Sequence, residues 1–320
     1  MVQPSSETRP STAERRPEAS ILVVGYKSLP YIERCLSGAL RSVNGRDVEI
    51  LYIDCSDDGS EQFVRDRFPM IRVFPFQGNL GFARGNNVLA QHARGEKLLL
   101  LNPDAFAERD EISALLRFAQ SHPDAHAWSG ITILPDESID GGSIQPMLGA
   151  TPLILALAGL AKLRPGAADL RKQEPQSVPV LTGAFMLVDA AVWHRLGGFD
   201  EQYFMYAEEV DLCKRIAKGG GKLLCDPKIK LLHDTGGGER RTPTRILNRA
   251  RGNATFYRKH YGPVWAFVCN SLLLLHATTR FAFGVLTGRR AHAESFGAMV
   301  RRPTDWWSGW PPLADRAEAQ

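Results

Sequence analysis

The stretch LLLLNPDAF, residues 98–106, decides how the rest of the chain reads. Four consecutive leucines leave no polar face, so the run reads as a buried central strand, covered on both sides. Asn102 and Pro103 then interrupt it, and Asp104 follows. Proline has no N–H and a fixed φ, so it ends the ladder and helps turn the next side chain out of the sheet. A carboxylate at the mouth of a parallel sheet can hold Mg²⁺ or Mn²⁺ through oxygen, and such an ion neutralises a diphosphate. An aspartate in a turn or helix cap is the competing reading.

The segments before this run support a parallel sheet. ILVVGY (21–26), VEILYID (48–54) and IRVFPF (71–76) are short and rich in β-branched residues. Pro75 marks the third as a shortened or edge strand. Between them, YIERCLSGAL places Ile32, Leu36 and Leu40 at helical spacing, and EQFVRDRF and GFARGNNVLAQHA also read as helices. This alternation predicts an α/β fold: a doubly wound, mainly parallel sheet with flanking helices. Ligands of such sheets bind beyond the carboxyl ends of the strands. Asp54 and Asp104 both fall there.

Composition narrows the function. The chain has 320 residues, 44% of them hydrophobic, and a net charge of +4. That slight basic excess, with no zinc-finger signature and no long basic helix, gives no reason to expect a nucleic-acid partner. Cys35, Cys55, Cys213, Cys225 and Cys269 are odd in number and form no CxxC pair. They are expected to be free and buried, as in a reducing cytoplasm. Residues 1–19 are polar and read as a disordered tail without a secretory signal.

The second half carries another acidic cluster. In FMYAEEVDLCKR, a helix beginning near Glu208 puts Glu208, Glu209 and Asp211 at the favourable end of its dipole. One of the glutamates could act as general base toward a hydroxyl. Helix capping is the alternative, above all for Asp211, which can pair with Arg215 one turn on. His233 closes KIKLLH as a metal ligand, a phosphate contact or a structural histidine. GGGERR, with Arg240 and Arg241, reads as an anion-binding lid or a solvated loop.

Two apolar segments remain. TPLILALAGLAKL (151–163) is too short to span a bilayer and fits either a buried or an interfacial helix, with Lys162, Arg164, Arg171 and Lys172 beside it. Residues 264–286 approach a span in length but contain Asn270, His276 and Arg280. The arginines and the WWSGW segment (306–310) after them suit a headgroup zone. Peripheral membrane contact is therefore expected, with packing on the protein as its competitor. These features divide the chain into a 1–19 tail, a 20–260 catalytic domain and a 261–320 apolar helical region.

The ordered set ILVVGYKS, YIDCSDDGS, NLGFARGNN, LLLLNPD, LTGAFMLVDAAVWHRLGGFDEQYFMYAEEVDLCKR and KIKLLH resembles family 2 inverting glycosyltransferases of the GT-A fold, particularly their rhamnosyltransferase-like branch. The likeness runs over residues 20–233. It implies a nucleotide-sugar donor, Mg²⁺ or Mn²⁺, and a saccharide or lipid-linked acceptor in cell-surface glycan synthesis at the cytoplasmic face of the membrane. By resemblance, Tyr26, Asp54, Asp58, Asn79, Gly81, Asn86, Asn102 and Gly183 border the nucleotide sugar, with Thr182 on the acceptor side. Asp104 and His233 are the implied metal and phosphate residues, and Glu208 and Glu209 the catalytic pair, Glu209 as base. Three positions depart from the family pattern: Lys27 and Cys55 replace asparagines, and Glu209 replaces an aspartate. The processive QxxRW motif is missing. A sugar nucleotidyltransferase and a noncatalytic sugar- or membrane-binding relative are the alternatives.

Overall fold

The computed structural model describes residues 16–163, 173–234 and 242–313. The leucine run forms β4, Lys97–Leu101. Its side chains alternate: Leu98 and Leu100 enter one hydrophobic core, Leu99 and Leu101 the other. A strand with a core on each face must be apolar at every position, and that is why four leucines stand in a row.

Before it come β1 (Ala19–Gly25), α1 (Leu29–Ser42), β2 (Val48–Asp54), α2 (Ser60–Arg67), β3 (Arg72–Phe74) and α3 (Gly81–His92). β1 pairs in parallel with both β2 and β4, and β3 pairs with β2 at the sheet edge. β3 stops one residue before Pro75, where a missing N–H costs least. After β4 come β5 (Ala105–Phe106), α4 (Glu111–Ser121), β6 (Ala127–Ile133), α5 (Ala150–Leu157), β7 (Gln176–Ser177), β8 (Phe185–Asp189), α6 (Ala190–Leu196), α7 (Glu208–Lys218) and β9 (Leu223–His233).

Among the described residues the sheet has nine strands, in the order β3-β2-β1-β4-β8-β6-β9-β5, with β7 beside β9. The expected parallel arrangement holds from β3 to β4. Beyond β4 the sheet becomes mixed: β8 enters antiparallel to β4 and β6, while β6 and β9 run parallel to each other. Two reversals return β9 to the direction of β4. The ends of β1, β2, β4 and β9 and the start of β8 therefore lie along one edge of the sheet.

The chain continues in α8 (Pro243–Leu286), α9 (Arg290–Arg301) and α10 (Thr304–Trp307). Gly262, at φ 73°, and Pro263 break α8 into two arms. The first arm packs on the corner before α7: a Cβ on Gly252 would stand 2.2 Å from the Tyr206 carbonyl oxygen. The headgroup reading of WWSGW does not hold. Trp306 is fully buried, and the Trp310 indole donates to the Met205 carbonyl at 3.0 Å. Arg251 and Asn270 of α8 bond the Asp305 and Trp307 carbonyls, so the chain end folds back onto the domain. α5 buries none of its residues, which removes the buried-helix reading of that segment. All five cysteines are free and buried.

Candidate active site

Residues far apart in sequence meet at the shared sheet edge. Asp54 ends β2 and is buried. Its Oδ1 accepts from the Ser56 amide and hydroxyl at 3.0 and 2.8 Å, but its Oδ2 is buried without a hydrogen-bond partner. A buried acceptor without a donor is costly in the free protein and suits an N–H from a ligand. Asp58 differs. Its two oxygens accept from the Ser60 and Leu29 amides, each at 3.0 Å, forming the Asx turn that starts α2 and steadying the start of α1. Asp58 thus shapes the loop with both oxygens engaged by the chain itself.

Tyr26 follows β1 and is half exposed, with the Lys27 ammonium 5.5 Å from its ring centre. Lys27 has φ 51°, in the left-handed region. Asparagine adopts that region more readily than lysine, which explains the residue type expected at this corner. The Lys27 amide donates to the Ser56 hydroxyl at 2.7 Å, joining the β1 and β2 loops.

Past β4, the Asn102 amide bonds the Ala184 carbonyl at 3.1 Å, and Asn102 Oδ1 is buried and unpartnered. Asp104 Oδ1 lies 3.2 Å from His233 Nε2, bringing the ends of β4 and β9 together. On the other side of the ring, His233 Nδ1 lies 3.1 Å from Asp140 Oδ2. Burial pushes the His233 pKa down, but its hydrogen bonds to Asp104 and Asp140 outweigh this and raise it to about 9.

The glutamate pair opens α7. Tyr206 and Ala207, at φ 67° and 70°, form a left-handed corner just before it. Non-glycine residues in this conformation store backbone strain, a feature that clusters at functional sites. The corner is held by the first arm of α8 at Gly252. Glu208 and Glu209 are both buried in the first turn. Burial, then the neighbouring Glu209 charge, pushes the Glu208 pKa well up. Burial also raises that of Glu209, against the opposing effects of the nearby Arg249 and a 3.3 Å hydrogen bond from Gln145.

The donor-border residues reach the same corner. Gly81, at φ 73°, sits so close to Phe204 that a Cβ would lie 2.4 Å from its carbonyl oxygen. Asn79 Oδ1 accepts from the Gly81 amide at 3.2 Å, and buried Asn86 donates to the Phe82 carbonyl at 2.9 Å. Gly183 faces Phe82 and the Glu209 Cβ, beside Ala184, which bonds Asn102. The chain of contacts from Glu209 through Gly183 to Asn102 unites the predicted base with the strand-end aspartate. Arg240 and Arg241 lie outside the described residues.

Sequence reasoning missed four participants. Asp140 and Gln145 come from an irregular loop with no periodic signal. Lys259 and His260 bond Asp211 from α8, each at 2.7 Å. The expected Asp211–Arg215 pair is present at 2.7 Å, so Asp211 is a buried hub that fastens α7.

Comparison with known proteins identifies the family and the fold. Residues 20–196 match the Glycosyl transferase family 2 model. An N-acetylglucosaminyl-diphospho-decaprenol L-rhamnosyltransferase of Mycobacterium tuberculosis is 32% identical over 244 residues, 71% of this chain and 79% of the relative. Rhamnosyltransferase WbbL of Escherichia coli K12 is 27% identical over 49% of this chain and 61% of its own length. Among solved structures, the mannosyltransferase PcManGT from Pyrobaculum calidifontis, in complex with GDP-Man and Mn²⁺, shares the fold. Its TM-score is 0.55 and its identity 17%, over 96% of this chain and 80% of that one. The chain belongs to glycosyl transferase family 2 and is a glycosyltransferase enzyme of GT-A fold, similar to the family's rhamnosyltransferases.

Proposed function

We propose that this enzyme transfers a sugar, with inversion, from a nucleotide-sugar donor to a hydroxyl of a lipid-linked saccharide, with Mg²⁺ or Mn²⁺ at the donor diphosphate. The observation that carries the reading is the meeting of Asp104 and His233 at 3.2 Å on the sheet edge shared with Asp54. Their oxygen and nitrogen donors fit a divalent ion, and the Asn102 side-chain nitrogen stands 3.5 Å from His233 Nε2. The described residues contain no group of three or more acidic, histidine or cysteine side chains able to hold a metal. That suits an ion completed by substrate phosphates and water better than an all-protein cage. When bound, the ion supplies positive charge to the leaving nucleoside diphosphate.

The protein residues divide the remaining work. Asp54 offers its unpartnered oxygen to the donor's base or ribose. Gly81 and Gly183 let Phe204 and Phe82 pack against the backbone that borders the donor. Glu209 removes the proton of the acceptor hydroxyl as that oxygen attacks the anomeric carbon from the face opposite the diphosphate. A raised carboxylate pKa improves the match between base and operating pH. L-Rhamnose and a diphosphate-linked N-acetylglucosaminyl lipid, as named for the mycobacterial relative, are the first substrate pair to test.

A lipid acceptor places the enzyme at the cytoplasmic membrane face. The second arm of α8 supports this, because Val264, Trp265, Phe267 and Leu286 are largely exposed. Only 22% of the helix's most apolar window is buried in the protein, so its greasy surface faces outward. Truncating the region would also remove the Trp306 and Trp310 packing. The cleaner test is the double change Val264→Ser and Trp265→Ser in the full chain, which spares the packing of Phe267 on Trp307. Vesicle co-sedimentation should fall several-fold while the melting temperature holds; unchanged sedimentation removes this arm as the contact. The catalytic reading is tested by nucleoside diphosphate release from a panel of nucleotide sugars with Mn²⁺. Asp104→Ala should abolish release in folded protein, and full release in that variant would remove Asp104 from the site.

A further inference from the structure

The loop after β6 touches both halves of the site, and neither contact was expected from the sequence. Asp140 is fixed from several sides. Its amide donates to the Thr132 carbonyl at 2.9 Å, and its Oδ1 accepts from the Gly142 amide at 3.1 Å. The Thr132 hydroxyl donates to Oδ2 at 3.3 Å, and the Ser143 hydroxyl accepts from the Thr132 amide at 2.7 Å. Thr132 and Ser143 are buried, and Thr132 pairs with Leu231 in β9, two residues before His233. The carboxylate is therefore held rigidly to the strand that ends in His233. Farther along, Gln145 donates to Glu209.

We propose that Asp140 is a positioning residue: it holds the His233 ring with Nδ1 toward itself and Nε2 toward Asp104. The two nitrogens point in diverging directions. Asp140, at Nδ1, sits on the far side of the ring from Asp104 and does not share an ion with Nε2. A carboxylate behind a metal-binding histidine fixes its tautomer and ring orientation and raises its basicity. With the Nδ1–H donated to Asp140, Nε2, which faces Asp104 and the Asn102 side-chain nitrogen, is the ring nitrogen at which an ion would replace a proton. This inference rests on the assignment of Asp104 and His233 as the ion's ligands, and the experiment separates the two.

The measurement is binding of Mn²⁺ alone to the full chain, followed by electron paramagnetic resonance, for wild type and Asp104→Ala, His233→Ala, Asp140→Ala and Asp140→Asn. Thermal melts accompany each variant. Asp140→Ala should weaken binding about 10–100-fold, the usual cost of losing such a partner. Asp140→Asn keeps an oxygen for the Nδ1–H but loses the charge, and should recover part of that loss, about 3–10-fold weaker than wild type. Wild-type affinity in Asp140→Ala, with binding lost in Asp104→Ala and His233→Ala, overturns the inference and leaves the metal site standing. Unchanged binding in Asp104→Ala and His233→Ala overturns both. If Asp140→Ala does not melt cooperatively, Asp140→Asn decides: wild-type affinity there overturns the proposal.

Discussion

Glu209 and Asp211 lie two residues apart on α7, both buried, yet their surroundings are opposite. Asp211 is ringed by Arg215, Lys259 and His260 at 2.7 Å each. These contacts outweigh the effect of burial and hold its pKa down at about 2. Glu209 receives neutral hydrogen bonds from Gln145 and from the backbone at the start of α7, with Arg249 nearby, and its neighbour Glu208 has an oxygen with no partner. Burial raises the pKa of both glutamates. A buried carboxylate surrounded by cations fastens the fold. The unpartnered oxygen of Glu208 carries a cost in the free protein, and perturbed buried carboxylates of this kind cluster at functional sites.

The sharpest way to break this contrast is Glu209→Gln. Transfer should fall about 10²–10⁴-fold, the usual contribution of a general base, while thermal melting shows no loss of stability. A folded, fully active variant would end the assignment. Asp211→Asn should do the reverse. Removing the charge from a buried ion-paired hub should cost about 3 kcal/mol in chemical denaturation; a change near zero would make the network ornamental. The smallest effect is in pH dependence. Asp211, with its pKa depressed, contributes stability that is present above its unfolded value and lost as pH falls toward about 2. Glu208, with its pKa raised, contributes in the opposite sense: its stabilisation is present at acid pH and lost as pH rises through the folded value. Glu208→Gln should therefore be about 1 kcal/mol more stable than wild type at alkaline pH and nearly equal at acid pH. Denaturant melts across pH would reveal any reversal of that order.

The parts legible in the sequence are those with local physical signatures. Apolar runs revealed β1, β2 and β4, the last two leading into aspartates, because strands buried on both faces cannot alternate. The spacing of Ile32, Leu36 and Leu40 revealed α1. β6 gave no such signal, since Ser129 and Gly130 interrupt a strand buried from Ala127 to Thr132; the Ser129 hydroxyl is satisfied by the Phe185 and Gly130 carbonyls. β5 and β7 are two residues each and exist only through β9. WWSGW misled because tryptophans beside arginines have the composition of a membrane interface, whereas the backbone returns them to α8. The order of the motifs pointed to the site residues from Asp54 to His233. Asp140 and the Lys259–His260 clamp stayed hidden because their meaning depends on partners brought together by folding.

The most direct measurement is the stereochemical outcome of transfer. Purified full-length protein, Mn²⁺, a nucleoside-diphosphate L-rhamnose and a diphosphate-linked N-acetylglucosaminyl lipid are incubated, and the product's anomeric configuration is read by NMR beside nucleoside diphosphate release. Stoichiometric diphosphate release and an inverted anomeric centre are expected, with both signals lost in Glu209→Gln. A product that retains the donor's configuration, or full turnover in Glu209→Gln, would contradict the proposed mechanism.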